Sequence, residues 1–120
     1  MYTTKQEIFD VAYKGLRDQG WRQSKNAEGR CRYRNGKGDK CAIGHLIPDE
    51  DYAPVLEHFL GNDDAIMDAA HIHPDFRGEV DGFLYNLQSQ HDDPDAGTAQ
   101  VEIPKNMAKF AKRHNLTIPE

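Results

Sequence analysis

Most apolar positions in this chain recur with helical spacing, and a single stretch breaks the pattern. Ile8, Val11, Ala12 and Leu16 form one stripe, widened by Phe9 and Tyr13, which predicts an amphipathic helix over 4–19. Thr4 with Glu7 three residues on supplies a capping box, and Gly20 supplies a stop with Trp21 folding back onto the last turn. Residues 22–30 are polar and read as a connection. Tyr52, Val55, Leu56, Phe59 and Leu60 predict a helix over 52–60, capped by Asp49 or Asp51, with Pro54 in its first turn and Gly61 ending it. A short helix from Asp63 or Asp64 turns Ile66, Met67 and Ala70 inward, and Pro74 closes that region. Phe76, Val80, Phe83, Leu84 and Leu87 predict a helix over 75–90. Gly78 and Gly82 lie inside it and weaken it by about 1 kcal/mol each relative to Ala. Glycines so spaced let a neighbouring helix approach closely. After the polar loop His91–Gly97, a last helix runs from Val101 or Pro104 to His114. It turns Met107, Phe110 and Ala111 inward and Lys105, Lys109, Lys112 and Arg113 outward.

The exception is Cys31–Asp49. Asn35-Gly36 followed by Gly38 is turn chemistry for a short hairpin loop, because Asn and Gly tolerate positive φ. Pairing Tyr33 with Cys41 sets Cys31 opposite Ile43. Cys31, Tyr33, Cys41 and Ile43 then share an apolar inner face, while Arg32, Arg34, Lys40 and Ala42 share an outer one. A slip of one residue mixes the two sets and puts charge in the core. The expected architecture is therefore α+β, a single small domain over 1–120 with one β-hairpin packed against four or five α-helices. No repeat, low-complexity tract or linker divides the chain.

Charge changes this picture more than composition does. The chain's 120 residues suffice for one domain with a real core. No apolar run approaches a membrane span, and Met1-Tyr2-Thr3-Thr4 leads into a helix without a signal-peptide core. Two cysteines make no disulfide framework, so a cytoplasmic setting with reduced thiols is expected. The net charge of −5 is unevenly spread: residues 14–40 carry nine Lys/Arg against three Asp/Glu, and residues 41–103 carry one Arg against fourteen Asp/Glu. Such a split marks an interaction surface, or else charges that pair once the chain folds.

The stretch Cys31-x-Tyr33-Arg34 … Lys40-Cys41-Ala42-Ile43-Gly44-x-Leu46-Ile47-Pro48-Asp49 resembles a set of small proteins encoded by phages, prophages and bacteria. Leu84-x-x-Leu87-Gln88-x-x-His91-Asp92 and the helix end Ala111 to Leu116 extend the resemblance over nearly the whole chain. Such proteins often open the last helix with Trp; here Val101 stands near that place, so this helix starts differently. The resemblance implies one compact domain of phage or bacterial origin. It brings no activity with it.

Several constellations bear chemistry. Cys31, Cys41 and His45, with His71, His73 or His91, can supply zinc ligands, but C-x₉-C-x₃-H lacks the tight local spacing of zinc sites. The preferred register turns both thiols to the core, so buried thiols that act as small hydrophobes account for the cysteines better. Cys41 with His91 can form a nucleophile–base pair, though no helix N-terminus lies behind the thiol. His91-Asp92-Asp93 can hold a divalent cation, or be a helix-end histidine favoured by the dipole. The basic outer face of Arg32, Arg34, Lys37 and Lys40 can grip phosphate, with Tyr33 and Trp21 to stack. The low pI argues against long duplex nucleic acid.

Three functions follow. The first is a non-enzymatic interaction protein acting on a host or bacterial protein or a defence component. The second is a nucleotide or phosphate site at the hairpin, lined by Tyr33, Arg34, His45, Asp49 and His91. The third is a metal-dependent hydrolase or nuclease using His91 and Asp92. No cofactor is expected. A homodimer through the exposed hairpin edge is a further expectation.

Overall fold

The structure, a computed structural model, describes residues 2–60, 63–92 and 97–119, with Asp92 described by its backbone alone. Four α-helices carry the fold: α1 Lys5–Asp18, α2 Asp64–Ala69, α3 Arg77–Asp92 and α4 Ala99–Arg113. Short 3₁₀ turns at Gly44–Leu46, Asp49–Asp51, Pro54–His58 and Pro74–Phe76 connect them.

α1 begins where the sequence predicts. Thr4 Oγ1 accepts from the Glu7 amide at 3.2 Å, and Glu7 Oε1 accepts from the Thr4 amide at 3.1 Å. The Thr3 amide and both threonine hydroxyls also donate to Glu7, and this holds its carboxyl below the usual range. α1 buries Ile8, Phe9, Ala12 and Leu16, and it packs on α3 and α4. The centre of that packing is aromatic: Phe9 and Phe110 stack at 6.0 Å, and Phe83 lies 5.1 Å from Phe110.

α1, α2 and α4 stop by the same local device, a residue in the left-handed region followed by a bond back five residues. His71 (φ 58°) precedes Ile72, whose amide reaches Met67 O at 2.9 Å. Asn115 (φ 57°) precedes Leu116, whose amide reaches Ala111 O at 2.8 Å. In α1, Gly20 and Trp21 both take positive φ, the Trp21 amide reaches Leu16 O at 2.8 Å, and the indole sits edge-on to Tyr13.

The β-hairpin is not there. Among the described residues no strand forms, and pairing is limited to isolated bridges at Tyr2–Ile72, Lys25–Cys31 and Arg34–Lys40. The α+β expectation gives way to a mostly helical fold. The turn Asn35–Asp39 closes in the expected alignment, with the Cys41 amide donating to Tyr33 O at 3.2 Å. The ladder then stops, for two reasons. The Arg32 amide turns to Ser24 O at 2.8 Å, and the Tyr33 and Arg34 amides turn to a side chain, Glu57. On the other arm, Gly44–Leu46 coils into a 3₁₀ turn. Gly44 is obligatory there, because a Cβ on it would sit 2.1 Å from Tyr33 O. Cys31, expected in the core, is exposed, whereas Tyr33, Cys41 and Ile43 are buried. With no hairpin there is no hairpin edge to pair with a twin.

Two helix expectations also change. The helix over 52–60 is only the 3₁₀ turn Pro54–His58, with extended backbone at Ala53 and Phe59; its expected end, Gly61, lies outside the described residues. The last helix starts at Ala99, so Pro104 lies inside it rather than at its start. Thr98 O accepts from the Val101 and Glu102 amides, which launches the helix upstream of the proline. No helix among the described residues is long and apolar enough to cross a membrane.

Candidate functional site

The segment that replaces the hairpin is held by one carboxylate. Glu57 stands at the end of the run Tyr52–Leu56, and its side chain is only 6% exposed. Its Oε1 accepts from the Tyr33 amide at 2.8 Å, and its Oε2 from the Arg34 amide at 3.1 Å and the Tyr52 hydroxyl at 2.6 Å. Arg32 Nε lies 3.2 Å from Oε1 as an ion pair, without hydrogen-bond geometry. Burial, reinforced by Glu57, pushes the Tyr52 phenol up to about 12, so it remains a donor. The Tyr33 hydroxyl donates to Phe59 O at 2.6 Å, which ties the far end of the same turn.

Arg34 is sandwiched rather than displayed. Its guanidinium sits 4.6 Å from the Tyr52 ring centre, Nη2 donates to Ile47 O at 2.8 Å, and Nη1 pairs with Asp49 at 2.8 Å. Lys40 reaches the same Asp49 oxygen at 3.5 Å. Lys40 and Arg34 together hold the Asp49 carboxyl below its usual range. Of the basic outer face, Arg32, Arg34 and Lys40 are thus paired with acids from the 49–57 segment, and Lys37 stands exposed at the tip.

The two predicted histidines lie elsewhere and serve packing. His45 Nε2 donates to Gln19 Oε1 at 3.0 Å, since Gln19 Nε2 is committed to the Lys40 and Arg22 carbonyls. Its ring fills the place where a side chain on Gly15 would stand. Burial, aided by Lys40, His91 and Arg34, lowers its pKa to about 4. His91 is fully buried; its Nε2 donates to Arg22 O at 3.0 Å, and Gln23 donates to its carbonyl at 3.2 Å. The side chain of Asp92 and all of Asp93 lie outside the described residues. Among the described residues no three His, Cys, Asp or Glu side chains converge as a metal site, and Cys31 and Cys41 part to surface and core.

The predicted set Tyr33, Arg34, His45, Asp49 and His91 therefore does not line one pocket. Arg34 and Asp49 meet each other, and of the five only Tyr33 lines a cavity described among these residues. That cavity, of about 330 Å³, opens between Cys31–Tyr33, the Glu57–Leu60 segment and α3, where Tyr85, Gln88 and Ser89 form its wall. Its rim is apolar and unusually exposed: Leu60 is 66% accessible, Tyr85 61% and Phe59 38%. Ile43 lies in its wall, and Gln88 Oε1 accepts from the Ile43 amide at 3.0 Å, which fixes α3 against the turn. Gly78, Gly82, Tyr85 and Ser89 fall on one face of α3 by their spacing. Among the described residues both glycines face open space, so the close helix approach expected of them is not made.

Sequence reasoning missed Glu57, Tyr52, Gln19 and the rim residues Phe59, Leu60 and Tyr85. One signal was present: Glu57 is the only acid in the apolar run Tyr52–Leu60. No protein-family model, curated protein or solved structure matches this chain.

Proposed function

We propose that the chain is a non-enzymatic protein-interaction module, and that the groove bordered by Phe59, Leu60 and Tyr85 is its contact face. The observation that supports this reading is a contrast in how the side chains are used. Groups able to do chemistry (Arg34, His45, Asp49, His91) are engaged in holding the fold, while three large apolar side chains stand exposed round one cavity. Exposed aromatic and aliphatic side chains grouped about a pocket are the ordinary make-up of an interface anchor. The resemblance to phage and prophage proteins supplies the setting, a host or bacterial protein as partner in a bacterial cytoplasm. A phosphate ligand on the outer face has less support, because Glu57 and Asp49 already neutralise most of that charge.

The test is site-specific photo-crosslinking in a bacterial host. A benzophenone side chain at Leu60 or Tyr85 is expected to capture a defined protein, identified by mass spectrometry. The same probe at Lys109, on the exposed side of α4, is expected to capture nothing comparable. Equal labelling at all three positions, or none at any, overturns the reading.

A further inference from the structure

The apolar rim of the groove is flanked by charge of one sign. Between Asp63 and Tyr85 the chain carries six acids, Asp63, Asp64, Asp68, Asp75, Glu79 and Asp81, all of them exposed. Arg77 is the one Lys or Arg in that stretch, which leaves an excess of five negative charges with the histidines neutral. Arg77 is itself held by Asp68 at 2.6 Å, Asp64 at 3.8 Å and the Ile72 carbonyl. The acids reach the rim. Asp63 Oδ2 accepts from the Leu60 amide at 2.9 Å. Asp81 precedes Tyr85 by one turn of α3, and Glu79 lies about 9 Å of helical rise from it. The cavity adds no sign of its own, because Arg32 is paired with Glu57 and both line it. On the Cys31–Tyr33 side the neighbouring Arg30 is exposed, so the acidic flank belongs to the side built by Leu60 and α3. That flank is also bare. Gly78 and Gly82 share the Tyr85 face of α3, and a Cβ on either meets nothing within 4 Å. A partner's backbone can therefore lie close to α3 and bring its side chains to the carboxylates.

We infer that the partner protein docks through a cationic segment: a large apolar side chain seats between Phe59, Leu60 and Tyr85, and Lys or Arg residues on one side of it meet Asp63, Glu79 and Asp81. This rests on the groove being the contact face. Charge complementarity selects the occupant, since it favours the matching partner and penalises like charge. An acidic or phosphate-bearing partner is repelled by these carboxylates. A second copy docked α3 to α3 sets Glu79 and Asp81 against their own counterparts. Lys and Arg suit the flank because their stems cover apolar surface such as Tyr85 while their heads reach a carboxylate. The apolar side chain is the anchor, and the exposed ion pairs, each worth little alone, set which anchor-bearing segment is accepted.

The experiment uses the intact chain and acetylated, amidated peptides: Lys-Lys-Gly-Phe-Gly, its reverse order Gly-Phe-Gly-Lys-Lys, and versions of each with serine or glutamate in place of both lysines. Binding is followed at low salt by NMR shifts at Leu60, Gly78, Gly82 and Tyr85. In one of the two orders the lysine peptide is expected to bind about tenfold more tightly than its serine version, the scale of a few exposed ion pairs together. That advantage is expected to shrink at high salt. In the double variant Glu79→Gln, Asp81→Asn it is expected to fall away while the serine peptide binds as before. Lysine binding no better than serine or glutamate in both orders overturns the inference, and so does the absence of any shift. Shifts at Leu60 and Tyr85 that follow protein concentration alone assign the face to a second copy and also overturn it. The crosslinks at Leu60 and Tyr85 report separately whether the groove is a contact face. A captured segment poor in Lys and Arg overturns the cationic partner and leaves the contact face standing.

Discussion

Two regions of this molecule hold themselves together by opposite means. Around Phe9, Phe83 and Phe110 three helices meet through apolar side chains, and every backbone bond is local to its own helix. Around Glu57 the backbone is irregular, and amides of the 33–34 segment find their acceptor in a side chain more than twenty residues away. The first region tolerates inexact polar placement but needs its volume filled. The second needs one carboxylate in one place, because a buried amide without an acceptor costs far more than the bond itself contributes. The groove lies on the second region, so its shape depends on hydrogen-bond geometry rather than on packing density.

The largest effect is expected in the aromatic core. Phe110→Ala removes a fully buried ring that touches Phe9, Phe83 and His114, and it should cost about 3–5 kcal/mol in chemical denaturation. A loss under about 1 kcal/mol breaks the picture of a packed helical core. Glu57→Gln should cost about 2–3 kcal/mol, since its amide group presents donors to the Tyr52 hydroxyl or the Arg34 amide. Its diagnostic is local: the Tyr33 and Arg34 amides should lose hydrogen-exchange protection while those of α1 and α4 keep theirs. Uniform loss across all helices shows that the two regions are not separable.

The smallest effect sharpens the comparison by pH. His45 titrates near 4 in the folded chain and near 6.5 when unfolded. Its full contribution is therefore present above pH 6.5. As the pH falls from 6.5 towards 4, the unfolded chain takes up a proton that the folded one refuses, and about 2 kcal/mol is lost over that window. His45→Gln should flatten the stability profile there. A slope unchanged by that substitution assigns the acid sensitivity to other groups.

The helical half of the fold was legible because apolar spacing and capping are written in consecutive residues. Thr4, Gly20, Pro74 and Asn115 each marked a boundary within a residue or two of where it falls. The hairpin was misread for a physical reason. Asn35-Gly36 and the alternation about it specify a turn and one bridge, but a ladder also requires that its amides have no better acceptor. Glu57, Gln19 and Ser24 O are better acceptors, and the first two lie more than twenty residues from the amides they satisfy. The same remoteness hid the site. Phe59 and Leu60 have helical spacing with Tyr52 and Leu56 and looked like core; the 3₁₀ turn at Pro54–His58 rotates Glu57 inward and leaves them outside. Arg32, Arg34 and Lys40 stand close together in sequence, yet nothing in their spacing shows which acids answer them.

The contact of Gly44 with the Tyr33 carbonyl sets how this protein can be altered. Where a Cβ at 44 would meet backbone at once, one at Gly36 meets nothing within 4 Å, and one at Gly38 has space but a left-handed backbone (φ 88°) that disfavours it. The tip accordingly has room for a side chain at Gly36, although its length is set by Asn35, whose Oδ1 accepts from the Lys37 and Asp39 amides. The crossing at Gly44 permits no such freedom, and grafting the groove onto another scaffold means carrying that glycine, Tyr33 and Glu57 together.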